Sequence, residues 1–114
     1  MPETYVQVPH LQTKEKSSFN ATAYFRVADA ATAPTTAKYR VDNLTARKEL
    51  KDWTSLTPAV SNTIAMTSTF NAIQNESNRI EKVQLTVAAD PDGDTETRDA
   101  VTWNILNLRG FDES

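Results

Sequence analysis

Apolar and polar residues alternate along five segments of this chain. A period of two places successive side chains on opposite faces of a strand, so each segment predicts a strand with one buried face. The segments are residues 19–27, 37–44, 63–67, 81–89 and 95–108. In the last of them the apolar phase shifts between Ile105 and Leu106, which indicates either a β-bulge or burial on both faces there.

Residues 49–56 have a less regular pattern. Leu50, Trp53 and Leu56 recur every three positions, a spacing that also fits a helix. The threonine that follows the tryptophan favours a strand, and Pro58 stops any helix. We therefore predict a strand here, with Trp53 on its buried face.

The period changes to three and four residues after the strand at 63–67. Ser68 is suited to cap a short helix and Asn78 to end it, so we predict one short helical turn between them. Short strands at near-regular spacing are typical of a β-sandwich. We predict an all-β, immunoglobulin-like (fibronectin-like) antiparallel β-sandwich over residues 19–110, with a C-terminal tail at 111–114. A small barrel or jelly roll is the alternative.

The inward-facing residues of these strands predict one hydrophobic core. A buried tryptophan removes more apolar surface from water than any other side chain, so we place Trp53 at the centre of this core. The predicted core residues are Tyr39, Val41, Trp53, Val83, Leu85, Val87 and Trp103. A sugar-binding platform formed by the two tryptophans is the alternative to core packing.

Residues 1–18 precede the first regular strand and include Pro2 and Pro9. An edge strand tolerates proline because it need not donate hydrogen bonds on both sides. The segment is therefore either an edge strand or an extended arm that becomes ordered on a neighbouring protein. In the second case, the residues available to bind a partner are Tyr5, Val6, Val8 and His10.

The composition is that of one globular domain. The chain has 114 residues, of which 39% are hydrophobic and 24% charged. A chain of this size can bury a stable core without disulfides or bound metals. Its formal net charge of -3 argues against a nucleic-acid partner, which would require clustered positive charge. No secretion signal or membrane-spanning run is visible, so we expect no membrane partner. The absence of cysteine fits synthesis in a reducing cytoplasm.

No constellation of residues indicates an enzyme. The chain has one histidine, two glycines and no cysteine. It therefore lacks an assembled nucleophile, an acid–base pair and a phosphate-cradling loop. We expect no catalytic residues, no cofactor and no metal site.

One acidic turn resembles part of a calcium loop. Asp90, Asp92 and Asp94 alternate, as calcium ligands do. An EF-hand needs glycine at the sixth position and glutamate at the twelfth, whereas here Gly93 is fourth and Val101 is twelfth. A plain hairpin turn is the preferred interpretation, and a calcium site of another kind is the alternative.

Five short motifs are spread over the region from Phe19 to Gly110. They are Tyr39-Arg40-x-Asp42, Asp52-Trp53-Thr54-x-Leu56-x-Pro58, Asn71-Ala72-Ile73, Glu81-x-x-x-Leu85-Thr86-Val87-x-Ala89-Asp90 and Trp103-Asn104-x-x-Asn107-Leu108-x-Gly110. As a set, they resemble the small immunoglobulin-like virion structural proteins of tailed bacteriophages and prophages. Residues 1–18 lie outside this resemblance.

The resemblance implies a non-enzymatic structural protein of the virion, made in the host cytoplasm. We favour a capsid decoration protein that binds the head lattice, with the major capsid protein as its partner. A head–tail junction or tail component, bound to connector or tail proteins, is the nearest alternative, and a carbohydrate- or host-surface-binding module is a further one. Proteins of this kind act in multiple copies or as homo-oligomers.

Overall fold

The computed structural model describes residues 2–8, 12–14, 16–27, 30–75, 77–90 and 96–107. Strands account for most of these residues, and no helix occurs among them. The strands, in chain order, are β1 (Pro2–Gln7), β2 (Gln12–Lys14), β3 (Phe19–Val27), β4 (Ala30–Ala31), β5 (Thr36–Asn43), β6 (Lys48–Leu56), β7 (Ser61–Met66), β8 (Ile80–Asp90) and β9 (Thr97–Leu106). The described part of the chain accordingly holds no helix that could cross a membrane.

The strands form two sheets. In the four-stranded sheet β3 is central, with β1 on one side and both β4 and β7 on the other. The five-stranded sheet has the order β2-β9-β8-β5-β6. All pairings are antiparallel except that of β2 with β9, which is parallel. The N-terminal segment therefore contributes one strand to each sheet.

This division of strands is that of an immunoglobulin-like β-sandwich. Among the longer strands, β1, β3 and β7 form one sheet, and β5, β6, β8 and β9 form the other. They correspond to strands A, B and E on one side and C, C′, F and G on the other in an immunoglobulin domain. The fold class predicted from the alternating pattern is confirmed, except for the helical turn.

The core lies between the two sheets. Five of the predicted core residues are fully buried there: Val41, Val83, Leu85, Val87 and Trp103. Tyr39 is half-buried and packs against them. Phe19 meets the Trp103 ring edge-on, with ring centroids 5.1 Å apart and an interplanar angle of 81°. Such edge-to-face pairs add to the stabilisation that burial provides.

The prediction that Trp53 lies in the core is wrong. Residues three apart in a strand lie on opposite faces, and because Leu56 packs against the core, Trp53 faces away from it. Two register shifts in the β5–β6 pairing then return Leu50 to the core side. Of the two alternatives for Ile105–Leu106, a bulge or burial on both faces, the bulge is absent, since β9 pairs with β8 in continuous register as far as Leu106.

The helical turn predicted between β7 and β8 is also absent. The backbone N–H of Asn71 donates to the Thr67 carbonyl at 3.2 Å, but this turn does not continue. The N–H groups of Gln74 and Asn75 donate instead to the Glu81 carboxylate, at 2.7 and 3.0 Å. A buried acceptor therefore takes the donors that a helix would have used.

The N-terminal segment is part of the sandwich as an edge strand. β1 pairs with β3 along its whole length, and its residues Thr4 and Val6 are buried. The Val6 N–H donates to Asp99 Oδ2 at 2.8 Å, and the hydroxyls of Thr4 and Thr97 lie 2.6 Å apart. These contacts connect β1 to β9 of the other sheet, so β1 is held within the domain itself.

Candidate protein-interaction surface

Trp53 lies half-buried on the outer face of the five-stranded sheet, surrounded by three cations. The Lys38 ammonium is 4.8 Å from the centroid of the indole ring. The guanidinium carbons of Arg40 and Arg98 are 5.8 and 5.3 Å from it. All three distances are within the range of cation–π attraction. The tryptophan is thereby held against charged side chains, with part of its surface open to solvent.

Carboxylates neutralise these cations. Arg40 donates to both oxygens of Asp42, at 3.0 and 2.8 Å, and to Glu49 at 3.2 Å. Glu96 accepts a hydrogen bond from Arg98 and lies 4.0 Å from the Lys38 ammonium. We call this group the Trp53 surface. Its members are Lys38, Arg40, Asp42, Glu49, Trp53, Glu96 and Arg98.

Hydrogen bonds favour the charged forms of two residues of the Trp53 surface, Arg40 and Glu96. The hydrogen bond to Asp42 raises the pKa of Arg40. The hydrogen bond from Arg98 lowers the pKa of Glu96. Among the described residues, three cations thus face three carboxylates, and this part of the surface has no net positive charge to attract a free anion or a phosphate backbone. The arrangement suits contact with a protein surface of mixed charge.

Local hydrogen bonds shape β6 around Trp53. The backbone N–H of Trp53 donates to Asp52 Oδ1 at 2.8 Å, and the Thr54 hydroxyl donates to the Asp52 carbonyl at 2.9 Å. The sequence contained a signal for this surface that the core interpretation passed over. Trp53 is out of phase with Leu56 in a period of two, and Lys38 has the opposite parity to the buried positions of β5.

Glu81 is the one fully buried carboxylate among the described residues, and its partners account for it. Asn43 Nδ2 and Asn78 Nδ2 donate to it at 2.8 and 2.9 Å, in addition to the N–H groups of Gln74 and Asn75. Burial acts to raise the pKa of Glu81, but these hydrogen bonds together hold it below its ordinary value. A carboxylate held ionised and enclosed by four donors is a structural anchor for the β7–β8 connection.

Trp103 is buried and cannot serve as a sugar-binding platform. Its indole N–H donates to Asn71 Oδ1 at 2.8 Å. The same asparagine donates through Nδ2 to the Ser17 carbonyl at 2.7 Å and accepts the Lys16 N–H at its own carbonyl, also at 2.8 Å. Asn71 thus fixes the chain where it enters β3.

The four residues predicted to bind a partner are not brought together. Val6 is buried and Val8 is half-buried against the core. Tyr5 is exposed on the outer face of the four-stranded sheet, directly opposite Tyr24 of β3. His10 lies outside the described residues.

The structure describes only the first residue of the acidic turn at residues 90–94. Asp90 closes β8, whereas Asp92, Gly93 and Asp94 lie outside the described residues. Within the ranges that the structure describes, no group of three or more histidine, cysteine or acidic side chains is placed to hold a metal ion.

Comparison with known proteins bears only on the fold of this chain. No protein-family profile and no curated protein matches the chain. Among solved structures it is similar to Spo0M, a sporulation control protein from Bacillus subtilis, with a TM-score of 0.56, 7% identity and 92% of this chain covered. The chain spans about half, 49%, of that protein's length. It is also similar to a cohesin module from a Clostridium perfringens family 33 glycoside hydrolase, with a TM-score of 0.46, 10% identity and coverage of 93% and 97% of the two chains. At 7% identity, the similarity to Spo0M concerns the fold alone.

Proposed function

We propose that this chain is a non-enzymatic structural protein of a tailed-phage virion, decorating the head lattice and binding neighbouring virion proteins through the Trp53 surface. The observation that carries the binding role is the half-buried Trp53 on an open sheet face, among charges that are already paired. The virion location is supported by the resemblance of the five motifs, two of which contain residues of this surface.

The chemistry of the Trp53 surface favours a protein partner. Tryptophan and arginine are the residues most enriched among those that dominate protein–protein binding energy. Arg40 is already oriented by its two bonds to Asp42, so little side-chain freedom remains to be lost on association. A partner that covers Trp53 would also shield the surrounding ion pairs from water and so strengthen them.

Binding to purified phage proteins tests the surface. We expect the Trp53→Ala variant to lose affinity for the major capsid protein by about tenfold or more, since truncating a central tryptophan typically costs over 1 kcal/mol. Tyr24→Ala is the matched control, because it removes an exposed aromatic residue from the opposite sheet. Equal affinities of the two variants and the wild type would contradict the proposed role of the Trp53 surface.

Quantitative mass spectrometry of purified particles tests the location. A decoration protein is present in a number of copies that matches the positions of the head lattice. A head–tail junction or tail component, the nearest alternative, is present only in the copies of a ring. Absence from particles that otherwise carry all their structural proteins would refute a virion role.

A separate observation favours carbohydrate or host-surface binding as the second candidate function. Tyr5 and Tyr24 form an exposed cross-strand pair, 43% and 37% accessible, and line a shallow hollow together with Gln7 and Arg26. Paired aromatic rings beside polar groups can stack on a sugar. Glycan-array binding that is abolished by Tyr24→Ala and kept by Trp53→Ala would support this candidate over the first.

A further inference from the structure

The longest uncharged stretch of the chain surrounds β7. Residues 53–75 contain no aspartate, glutamate, lysine or arginine, although 24% of the whole chain is charged. β7 (Ser61–Met66) lies in the middle of this stretch, with Ile64 and Met66 buried and Thr63 and Ala65 exposed. The strand therefore presents an edge without charge.

Among the described strands, β7 pairs only with β3, so its other edge is open. Open edges are normally protected from pairing with another chain by charges, prolines, bulges or short length. The other open edges of the two sheets have such devices. β1 begins with Pro2 and Glu3, β2 has three residues, β4 has two, and β6 carries two register shifts and two lysines. β7 has none of them.

The region beside β7 is also incompletely covered. A groove runs between the open edges of β6 and β7. Four of its apolar lining residues are only half-buried, namely Tyr39, Leu50, Leu56 and Phe70, and Lys51 of β6 also lines it. The half-buried side chains therefore leave apolar surface beside the β7 edge for a partner to cover.

We propose that β7 pairs antiparallel with β7 of a second copy of this chain. The two four-stranded sheets then form one continuous sheet across a two-fold axis. The two-fold axis is perpendicular to the sheet and passes beside Thr63 or Ile64. With this axis, residues that face the core in one copy lie opposite residues that face the core in the other copy. Buried and exposed positions therefore match across the new pairing without any change in the strand.

A second copy of this chain fits the β7 edge because two identical uncharged strands can pair without charge repulsion. Self-pairing of β6 would bring lysines and carboxylates of identical strands together, whereas self-pairing of β7 brings together only uncharged residues. The same two-fold operation turns the apolar grooves of the two copies toward each other. The Trp53 surface lies on the outer face of the other sheet and stays open, so the dimer and the proposed partner binding can succeed or fail independently.

Oligomer mass tests the pairing. We expect light scattering with size-exclusion chromatography to give twice the 12.7 kDa of one chain. Thr63→Lys and Ala65→Lys should each raise the dimer dissociation constant by about tenfold or more, since lysine is the natural protector of strand edges. Asn20→Lys is the matched control, because exposed Asn20 lies in the same cross-strand row as Ala65 but one strand further from the edge.

Cysteine cross-linking tests the register in a chain that has no cysteine of its own. With the axis beside Thr63, Thr63→Cys should form an intermolecular disulfide on mild oxidation. With the axis beside Ile64, only the double variant Thr63→Cys/Ala65→Cys should do so. Asn20→Cys should form no intermolecular disulfide in either case, because it lies one strand away from the paired edge. A wild-type monomer at all soluble concentrations, or a dimer unaffected by both edge lysines, would overturn the proposal.

Discussion

Trp103 donates its indole N–H to Oδ1 of Asn71 at 2.8 Å, and both side chains are buried. Because Asn71 also donates to the Ser17 carbonyl, one side chain connects β9, the β7–β8 connection and the entry to β3. Each of its two side-chain polar atoms therefore has a partner in the interior. A buried amide in this position stabilises the fold only as long as all its partners are present.

We expect Asn71→Ala to lower the free energy of unfolding by about 1–3 kcal/mol, because it leaves the Trp103 N–H buried without an acceptor. Urea denaturation followed by tryptophan fluorescence measures this difference. Asn20→Ala, at an exposed position of β3, is the control and should change stability by less than about 0.5 kcal/mol. Equal denaturation midpoints for the two variants would show that the buried hydrogen bonds of Asn71 do not stabilise the fold.

The two tryptophans should differ sharply in their effect on stability. Trp103→Ala removes a fully buried ring and should cost about 3–5 kcal/mol. Trp53→Ala removes a half-buried ring on the sheet surface, and we expect a loss of about 1 kcal/mol from burial and cation–π contacts. Denaturation curves of the two variants check the order. A larger loss of stability for Trp53→Ala than for Trp103→Ala would mean that Trp53 lies in the core, as the sequence suggested.

Stability should fall in acid because of Glu81. Its pKa is lower in the folded protein than in the unfolded chain, so its contribution is complete above the ordinary glutamate pKa of about 4.3. The contribution is lost as the pH falls through the lower, folded-state pKa. We expect the free energy of unfolding, measured by urea titration between neutral pH and pH of about 3, to lose the Glu81 contribution only below a pH of about 4.3.

Glu81→Gln is the control for this acid effect. The variant cannot ionise, and its amide group would face hydrogen-bond donors, so it should be less stable than the wild type at neutral pH. The gap between the two proteins should narrow as the pH falls. A gap that stays constant would mean that Glu81 does not titrate with folding.

Removal of residues 1–18 should unfold the domain. The deletion removes β1 and β2, including buried Val6 and its bond to Asp99. It also exposes the edge of β3 over residues 22–27. Circular dichroism and amide hydrogen exchange check this expectation, with Tyr5→Ala as a control that should leave the fold intact. A folded truncated domain would instead support an arm that is separate from the sandwich.

Local pattern identified most of the strands and part of the core. Val83, Leu85 and Val87 alternate with polar residues, and this period alone was enough to place them inside. Lys38 and Arg98 belong to none of the five motifs, and nothing in the sequence indicated that they meet. They come from different strands and meet at Trp53 only because β8 aligns β5 with β9. Proximity of that kind depends on long-range pairing, which spacing along the chain does not encode.

Alternation with period two was enough to predict an all-β chain, because it leaves each strand one apolar face to bury. Tertiary structure decided that Leu56, and not Trp53, takes the core side of β6, because the alternation puts the two on opposite faces without saying which face is inside. It also decided that Glu81 takes the donors of a predicted helical turn, and that β7 has an open edge. Each of these depends on which strands become neighbours, and that choice is made by burial across the whole molecule.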